Sequence, residues 1–441
     1  MTRILPGVEI EVIKEIVPQQ LNPSGIAGMI GTAEKGPVAT PERAGSYKEF
    51  TEKFGSNYDY TLTKDVKLAF QNGVYEVVVV RVTGSGGKTA ELTLKDSKGK
   101  NSIKIQAKSE GEAGNSIDVK VEKGEGEGKS MLSATDGSVI EVYEISGKNE
   151  ELADKINRES AIVSAEAAGK GNPEGEGTLF GGASGKTPSL KSYEDALEKL
   201  ESEQDVDIVV ACDVSDPAVH AVIDAHCKNM SKEAKNRIGI GTVGKDEGID
   251  DIVKRTDVLA SERFVVAAPY GNSGAVAGLI GNLNYYDSPT FKPIAGVSEL
   301  EKSYSPSQLR KLLTSGILPL EAQRGRGIIV VKGISTSKEQ ISVTRIADHA
   351  VRGVKNVSDN FIGTLNSPSG RLALKEKLRE FLELMENEGA IVPSTDLSEP
   401  AFIIDVYSSE ADFAQGIVRV DMAVRPVRAI DYIYATILVE A

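Results

Sequence analysis

Several residue types that mark secreted, metal-binding or redox proteins are scarce in this sequence. The chain of 441 residues contains two cysteines, Cys212 and Cys227, three histidines and no tryptophan. Two cysteines cannot form a disulfide framework for so long a chain, which indicates a protein made in a reducing compartment. His220 and Cys227 could share one helix face, but no third ligand lies at metal spacing. We therefore expect no metal site.

The sequence also lacks the apolar segments of exported and membrane proteins. Its first residues, MTRILPGVEIEVIKE, contain no apolar run of the length that a secretory signal requires. The most apolar stretch, residues 264–283, is interrupted by Pro269, Asn272, Ser273 and Asn282. A membrane span needs about 20 mostly apolar residues. We expect synthesis in the cytoplasm and no membrane insertion.

Positive charge is in deficit, since the formal net charge is -14. A chain with this balance repels phosphate backbones and anionic lipid, so we expect no direct binding of nucleic acid. Hydrophobic residues make up 40% and charged residues 26% of the chain, which is typical of globular proteins. At this length the chain is long enough for several domains.

Signatures of common enzymes are missing as well. Gly-Lys-Thr occurs at residues 87–89 and 185–187, but a phosphate-binding loop needs a glycine five positions before its Gly-Lys pair. Val82 and Phe180 stand there instead. No HExxH, CxxC or GxSxG motif is present. We assign no catalytic residue and no cofactor-binding residue.

The remaining pattern indicates an α/β domain in two parts. Runs of β-branched residues at 26–30 and 77–82, with helix patterns between them, indicate buried strands of a parallel sheet. The alternation of helix and strand returns over residues 192–282. We predict an α/β main domain formed by residues 21–83 and 188–324.

Residues 84–187 differ from both parts of this domain. They are rich in Gly, Ser, Glu and Lys, and they alternate apolar and polar residues in segments such as AELTL, SIKIQA and SIDVKV. Alternation with a period of two indicates antiparallel strands with one buried face. One helix pattern, ELADKINRES, interrupts the strands and precedes a short strand pattern, AIVSA. We predict an inserted antiparallel β-sandwich domain.

Residues 325–416 indicate a C-terminal α+β domain that begins with the strand GIIVVKGI and continues with two amphipathic helices. The first helix covers residues 342–357, and its charged face usually would meet solvent. That face contains Arg345, Asp348, Arg352 and Lys355. The second helix has Ser367 and Pro368 as its N-terminal signals and Gly389 as its stop.

Both ends of the sequence have the composition of β-strands. Residues 1–20 form a predicted N-terminal strand arm and residues 417–441 a C-terminal one. A terminal strand more commonly closes its own sheet, and the alternative is pairing with the sheet edge of a neighbouring chain. Under that alternative the inter-subunit residues are Val8, Ile10, Val12, Ile13, Val427, Ile430, Tyr432, Tyr434, Ile437 and Val439.

Motifs spread in order along the whole chain carry a family resemblance. They include PGVEIEVIKE, GIAGMIGTAEKGP and FQNGVYEVVVVRV at the start, and EAGNSIDVKV, INRESAIVSAE and LFGGASGKTPS around the insertion. VVKGISTS, ISVTRIADHAV, FIGTLNS and VRPVRAIDYIYATILV follow in the last third. Together they resemble the contractile tail sheath proteins of phages, phage-tail-like bacteriocins and other contractile injection systems. Some members carry tryptophan in the C-terminal domain, which this chain lacks.

The resemblance implies a structural subunit without enzymatic activity or cofactor. Such subunits polymerise helically around a rigid inner tube, are linked by exchanged terminal strands, and contract to drive the tube through a cell envelope. The implied partners are further copies of the chain, the inner tube protein, and baseplate and tail terminator proteins. The implied location is the virion tail or particle, after synthesis in the bacterial host. Because the family places its C-terminal domain innermost, Arg345, Arg352 and Lys355 are the expected tube-facing residues.

Two other functions fit the sequence less well. An α/β enzyme that binds a nucleotide would need Gly-rich and carboxylate residues converging at the strand ends, and the sequence does not place them there. A β-rich surface adhesin would need an export signal, which the first residues do not provide.

Overall fold

A computed structural model describes residues 25–123, 130–145, 147–432 and 434. The contacts within the chain divide the described residues into two units. We call the part up to Thr344, together with the residues from Ala429 onward, the central unit, and Arg345–Arg428 the C-terminal unit. Within the described ranges, no helix has the length and apolar character needed to cross a membrane.

The central unit begins with the first strands of a mainly parallel sheet. They and their helices are β1 (Ile26–Gly31), β2 (Pro41–Ala44), α1 (Tyr47–Phe54), α2 (Thr61–Gln71) and β3 (Glu76–Arg81). β1 is buried at every residue and β3 at all but its first. Burial on both faces explains why their sequences are continuously apolar rather than alternating.

A β-rich insertion follows β3. Its elements are β4 (Gly87–Lys88), β5 (Glu91–Lys95), β6 (Asn101–Ala107), β7 (Asp118–Lys123), β8 (Ser130–Thr135), β9 (Ile140–Ile145), α3 (Asn149–Glu159), β10 (Val163–Ala167), β11 (Glu176–Thr178) and β12 (Ala183–Ser184), with a short 3-10 helix at Glu112–Ser116. Two antiparallel sheets, in the orders β10-β6-β5 and β11-β7-β8-β9, contribute to one hydrophobic core. The alternation of apolar and polar residues in this segment therefore corresponds to strands with one buried face.

In the described residues, a ladder at the base of the insertion closes it, and a small number of side-chain contacts connect it to the rest of the central unit. β4 and β12 form a two-stranded ladder, and Lys35 makes a 2.8 Å ion pair with Asp136. Arg81 is fully buried and donates to the carbonyl oxygens of Gly36 and Glu110 at 2.6 and 2.7 Å. Burial lowers the pKa of Arg81. These contacts are few for a segment of this length, as expected for an inserted domain with its own core.

The second part of the central unit completes the sheet. Its elements are α4 (Leu190–Leu200), β13 (Ile208–Ala211), α5 (Pro217–Lys232), β14 (Ile238–Thr242), α6 (Ile249–Val258), β15 (Phe264–Ala268), α7 (Ser273–Asn282), α8 (Pro306–Thr314), β16 (Leu318–Gln323) and β17 (Gly327–Val330). The strand order is β17-β16-β15-β14-β13-β1-β3-β2, and only the two edge strands are antiparallel to their neighbours. Separate apolar cores on the two faces of the sheet include residues of α1, α2 and α7 on one side and of α4, α5, α6 and α8 on the other.

Two predicted domain boundaries are wrong. The strand GIIVVKGI was assigned to the C-terminal domain from residue 325, but β17 pairs antiparallel with β16 and belongs to the central sheet. The Arg324-Gly325-Arg326 turn of this hairpin has the composition of a linker, which explains the error. The C-terminal arm was expected to start at residue 417, whereas residues 419–424 pair inside the C-terminal unit.

The C-terminal unit consists of helices and one small sheet. Its elements are α9 (Ile341–Asp359), which starts in the last residues of the central unit, α10 (Pro368–Asn387), β18 (Phe402–Tyr407), α11 (Glu410–Ala414) and β19 (Arg419–Val424). Ser367 caps α10 by accepting from the Gly370 amide, and Gly389 has a φ of 74° beyond the helix end. The predicted start and stop signals of α10 are therefore confirmed.

Candidate assembly site

The sheet of the C-terminal unit is a hairpin of two strands. β18 and β19 pair antiparallel from Phe402 opposite Val424 to Tyr407 opposite Arg419. One face of the hairpin packs on α10, and the other leaves Ile403 61% and Tyr407 38% exposed. Within the described residues, no third strand lies beside either member of this pair. Two strands rarely form a stable sheet alone, so the outer edges are ready acceptors for further strands.

The described residues after β19 are held at the start of the segment and exposed further along it. The Val427 amide donates to the Ala390 carbonyl at 2.9 Å, which holds this residue inside the C-terminal unit. Beyond it, Ile430, Tyr432 and Tyr434 are 78%, 69% and 95% exposed. Large apolar side chains at such exposure are typical of a surface that a partner covers.

Only some of the predicted inter-subunit residues belong to the part of the chain that the structure describes. Ile430, Tyr432 and Tyr434 lie on the exposed tail, whereas Val427 is partly buried and is held inside the C-terminal unit. Val8, Ile10, Val12, Ile13, Ile437 and Val439 lie outside the described residues. The acceptor hairpin was not among the predicted sites, although the alternation in AFIIDVY could have indicated a strand with one exposed face.

The predicted tube-facing residues do not form one exposed stripe on α9. Arg345 is only 9% exposed, Arg352 is partly buried, and Lys355 is exposed and bonded to Asp359 at 2.6 Å. The helical period of the sequence, which puts the apolar residues opposite this charged face, agrees with the burial of Ile346, Ala350 and Val357. It could not reveal that Arg345 is covered as well, because a helical wheel shows the faces of one helix and not its neighbours.

The N-terminus of α7 is occupied by a side chain of the chain itself. Asp65 of α2 is buried against the start of α7, where it accepts from the Gly274 amide at 3.1 Å and the Ser273 hydroxyl at 2.9 Å. It also accepts from the Asp213 amide at 2.8 Å. A carboxylate thus occupies the helix N-terminus where a phosphate would bind.

The described ranges contain both cysteines and all three histidines of the chain. No cluster of three or more His, Cys, Asp or Glu side chains has metal-binding geometry there. Cys212 and Cys227 are both free and buried, and burial raises the pKa of the Cys212 thiol. Buried thiols of this kind are unreactive.

Comparison with family models gives two adjacent matches. The phage tail sheath protein central domain matches residues 187–336, and the phage tail sheath C-terminal domain matches residues 335–440. Together the two models cover more than half of the chain. The second match includes α9, α10, the hairpin and the exposed tail.

Individual relatives agree with the family models. Tail sheath proteins of Bacillus phage SP01 and Staphylococcus phage Twort are each 25% identical to this chain, over 260 and 310 residues. These matches cover 53% and 64% of this chain but 45% and 50% of the relatives. The chain thus spans about half the length of the curated relatives it matches.

Solved structures show the same fold. A sheath tail protein from Listeria innocua superposes with a TM-score of 0.72 at 17% identity, covering 93% of each chain. The anti-feeding prophage helical sheath in its contracted state gives a TM-score of 0.60 at 15% identity, covering 99% of each chain. The agreement extends over the sequence motifs, both family models and the whole described fold, and the chain belongs to the phage tail sheath protein family.

Proposed function

We propose that this chain is a structural subunit of a contractile tail sheath, which polymerises helically around a rigid inner tube. The open two-stranded sheet of β18 and β19, together with the exposed apolar tail, is the observation that carries the proposal. A strand from another copy would pair with an open edge through backbone hydrogen bonds, as in other cases of strand addition. Subunits joined in this way remain linked while their packing changes.

Contraction of such an array needs no nucleotide. An assembly built in an extended state moves to a packing of lower free energy, and small differences per subunit add over many copies. The partners are further copies of the chain, an inner tube protein, and baseplate and tail terminator proteins. The inserted domain is a β-sandwich, and the mature location is the virion tail or an equivalent injection particle.

The direct test is negative-stain microscopy of the purified protein over a range of concentrations. Sheath-like cylinders or long tubes support the proposal. A protein that remains monomeric with and without co-expressed tube protein would contradict it.

We expect the insertion to be dispensable for assembly. In the variant, residues 89–182 are replaced by a short Gly-Ser linker, which closes β4 and β12 into a hairpin. The core of the insertion is its own, so the central sheet keeps its packing, although Lys35 and Arg81 lose their partners Asp136 and Glu110 to water. The measurement is the yield of sheaths by sedimentation and microscopy.

The full-length variant Asp136→Asn serves as the control, because it breaks the ion pair with Lys35 and keeps the insertion. Both proteins should form sheaths at the yield of the unmodified chain. A deletion variant that unfolds cooperatively and yet forms no sheaths would show that the insertion takes part in the lattice.

The charged face of α9 is proposed to dock on the inner tube. Each exposed cation is expected to contribute about 0.2 to 1 kcal/mol to the binding of the tube. Contacts of this strength are weak enough to let the sheath slide along the tube, and they add up over many subunits. Of the three predicted tube-facing residues, Arg352 and Lys355 are the accessible ones, and Lys355 forms an ion pair with Asp359. Arg345 is buried, so charge reversal there would perturb folding as well as docking.

We therefore expect the double variant Arg352→Glu/Lys355→Glu to lose extended sheath on co-expressed tubes in low salt. The matched control is Lys377→Glu/Arg379→Glu on α10, which makes the same change in net charge at residues paired with Glu380 and Glu376. The yield of tube-filled particles is the measurement. Equal yields for the two double variants would exclude a docking role for this face of α9.

A further inference from the structure

Gln340, just before α9, binds the backbone of the tail like a short strand. The residue is only 5% exposed. The Ala429 amide donates to its Oε1 at 3.0 Å, and its Nε2 donates to the Ala429 carbonyl at 3.1 Å. This exchange of two hydrogen bonds is the pattern of a paired residue in an antiparallel ladder. Both residues belong to the central unit.

A second pair of contacts fixes the tail two residues further on. Asp431 Oδ2 accepts from Gln340 Nε2 at 2.7 Å and makes a 3.1 Å ion pair with Lys332. Both hydrogens of the Gln340 amide are therefore in use. Lys332 Nζ also lies 5.0 Å from the centre of the Tyr432 ring. Burial lowers the pKa of Lys332, but the bonds to Asp431 and Tyr432 outweigh this and raise it.

The orientation of the side chains shows what these contacts leave free. Asp431 points toward Gln340 and Lys332, and its side chain is 14% exposed. Ile430, Tyr432 and Tyr434 are mostly exposed. The contacts hold the Ala429 backbone, the Asp431 carboxylate and one side of Tyr432. Most of the surface of Ile430, Tyr432 and Tyr434 stays available to a partner.

We propose that Gln340 and Lys332 form an anchor that holds Ala429–Tyr432 and presents the apolar side chains of this tail to the open hairpin edge of a second copy of this chain. The inference rests on the proposed function, because strand exchange is what the anchor would serve. Gln340 and Lys332 are positioning residues: they hold the root of the arm before pairing. Residues ordered in advance no longer have to lose their conformational freedom when the arm pairs.

The complementarity of the two surfaces identifies the second copy as the occupant. Among the described residues, no further strand pairs with the outer edges of residues 402–407 and 419–424, and the outer face of this pair carries Ile403 and Tyr407. The tail offers exposed apolar side chains at every second position, Ile430, Tyr432 and Tyr434, which is the spacing of one face of a strand. Strand addition needs both of these features.

The first measurement is hydrogen exchange of peptides covering residues 425–434 in the monomer. Gln340→Ala removes the two bonds to Ala429 and the bond to Asp431, and we expect about tenfold faster exchange there. The matched control is Lys254→Met, which breaks a surface ion pair with Asp251 on α6 and leaves the tail contacts intact. Its tail should exchange at the rate of the unmodified chain.

A double variant swaps the donor and acceptor groups at positions 340 and 431. It distinguishes an anchoring role of Gln340 from a general effect of this residue on folding. In Gln340→Glu/Asp431→Asn, the carboxylate accepts from the Ala429 amide and from the new amide at position 431. We expect this double variant to recover part of the protection that Gln340→Glu alone loses. Recovery of this kind would not follow if Gln340 only stabilised the fold near α9.

The second measurement is the lowest protein concentration that gives sheaths, which we expect to rise about tenfold for Gln340→Ala. Sheath formation at the same or a lower concentration would overturn the anchor, as would tail exchange in the unmodified chain as fast as in Gln340→Ala. Strand exchange itself is tested separately. If the unmodified chain forms no sheaths, the proposed function fails even where tail protection depends on Gln340. If sheaths form after deletion of the residues following Arg428, strand exchange through this tail fails and the proposed function stands.

Discussion

Deletion of the residues after Arg428 is expected to abolish polymerisation and to leave a folded monomer. The described part of this segment makes few contacts, and Ile430, Tyr432 and Tyr434 are mostly exposed. Its loss releases Gln340 and Lys332 to water without opening the apolar cores of the central sheet. Deletion of residues 1–18 is expected to have the same effect, because the other predicted arm lies there.

The size of the effect follows from the bonds that strand addition would make. A backbone hydrogen bond contributes about 0.5 to 1.5 kcal/mol net, and a strand of average length makes about five of them. The pairing is then on the order of several kcal/mol, so its loss weakens each contact by about a thousandfold or more. Sedimentation velocity and negative-stain microscopy measure polymerisation, and thermal unfolding reports whether the monomer is intact.

Variants that keep the full chain length show whether polymerisation depends on the side chains of the tail or only on the presence of the tail. Ile430→Asp and Tyr434→Asp keep the backbone of the tail and place charge on its exposed apolar side chains. We expect both variants to polymerise poorly, whereas Arg428→Lys should polymerise normally. Ordered sheaths from either arm deletion would show that strand exchange is not the linkage between subunits.

Acidification from pH 7 to pH 4.5 is expected to destabilise the central unit strongly, because two histidines are buried in neutral form. The His226 Nε2 lies 2.8 Å from the Arg237 guanidinium and must accept its hydrogen bond. Burial, and then the charge of Arg237, lowers the pKa of His226 to about 4. His220 bonds the Val214 carbonyl at 3.0 Å, and burial lowers its pKa to about 4 as well.

The sign of the effect follows from where the proton binds. A histidine with a lowered pKa takes up a proton more readily in the unfolded chain than in the folded one. The contribution of the neutral histidines to the free energy of unfolding is therefore fully present above pH about 6.5, and it decreases as the pH falls toward about 4. Each of the two residues contributes a loss of roughly 3 kcal/mol across this window. Asp65 acts in the opposite direction, since burial raises the pKa of its carboxyl group.

Chemical unfolding at several pH values tests this expectation. His226→Gln removes the titrating ring and keeps an acceptor for Arg237, so its stability should fall less steeply between pH 6.5 and 4.5 than that of the unmodified chain. The carboxylates of Asp396, which is exposed, and Asp412, which is buried, have pKa values that hydrogen bonds lower to about 2, so they change only below this window. Parallel pH profiles for the His226→Gln variant and the unmodified chain would contradict the assignment.

Elements with strong local signals could be predicted from the sequence. The continuously apolar runs at β1 and β3, the alternating segments of the insertion, and the capped helix α10 were all recognised because their periods and end signals depend on neighbouring residues alone. Other features depended on distant residues. The β17 hairpin was assigned to the wrong domain, since pairing with β16 leaves no mark in the turn between them.

By itself the sequence determined the α/β pattern, the inserted β-rich segment, the missing catalytic signatures and, through ordered motifs, the family. Tertiary structure alone decided which polar residues are covered and which edges are open. Arg345 lies on the charged face of its helix and is nevertheless buried, and Asp65 closes a helix terminus contributed by residues more than 200 positions away. Gln340 bonds Ala429 across a separation of 89 residues. Burial and hydrogen bonding depend on which segments the fold brings together, and sequence periodicity describes only the segment that carries it.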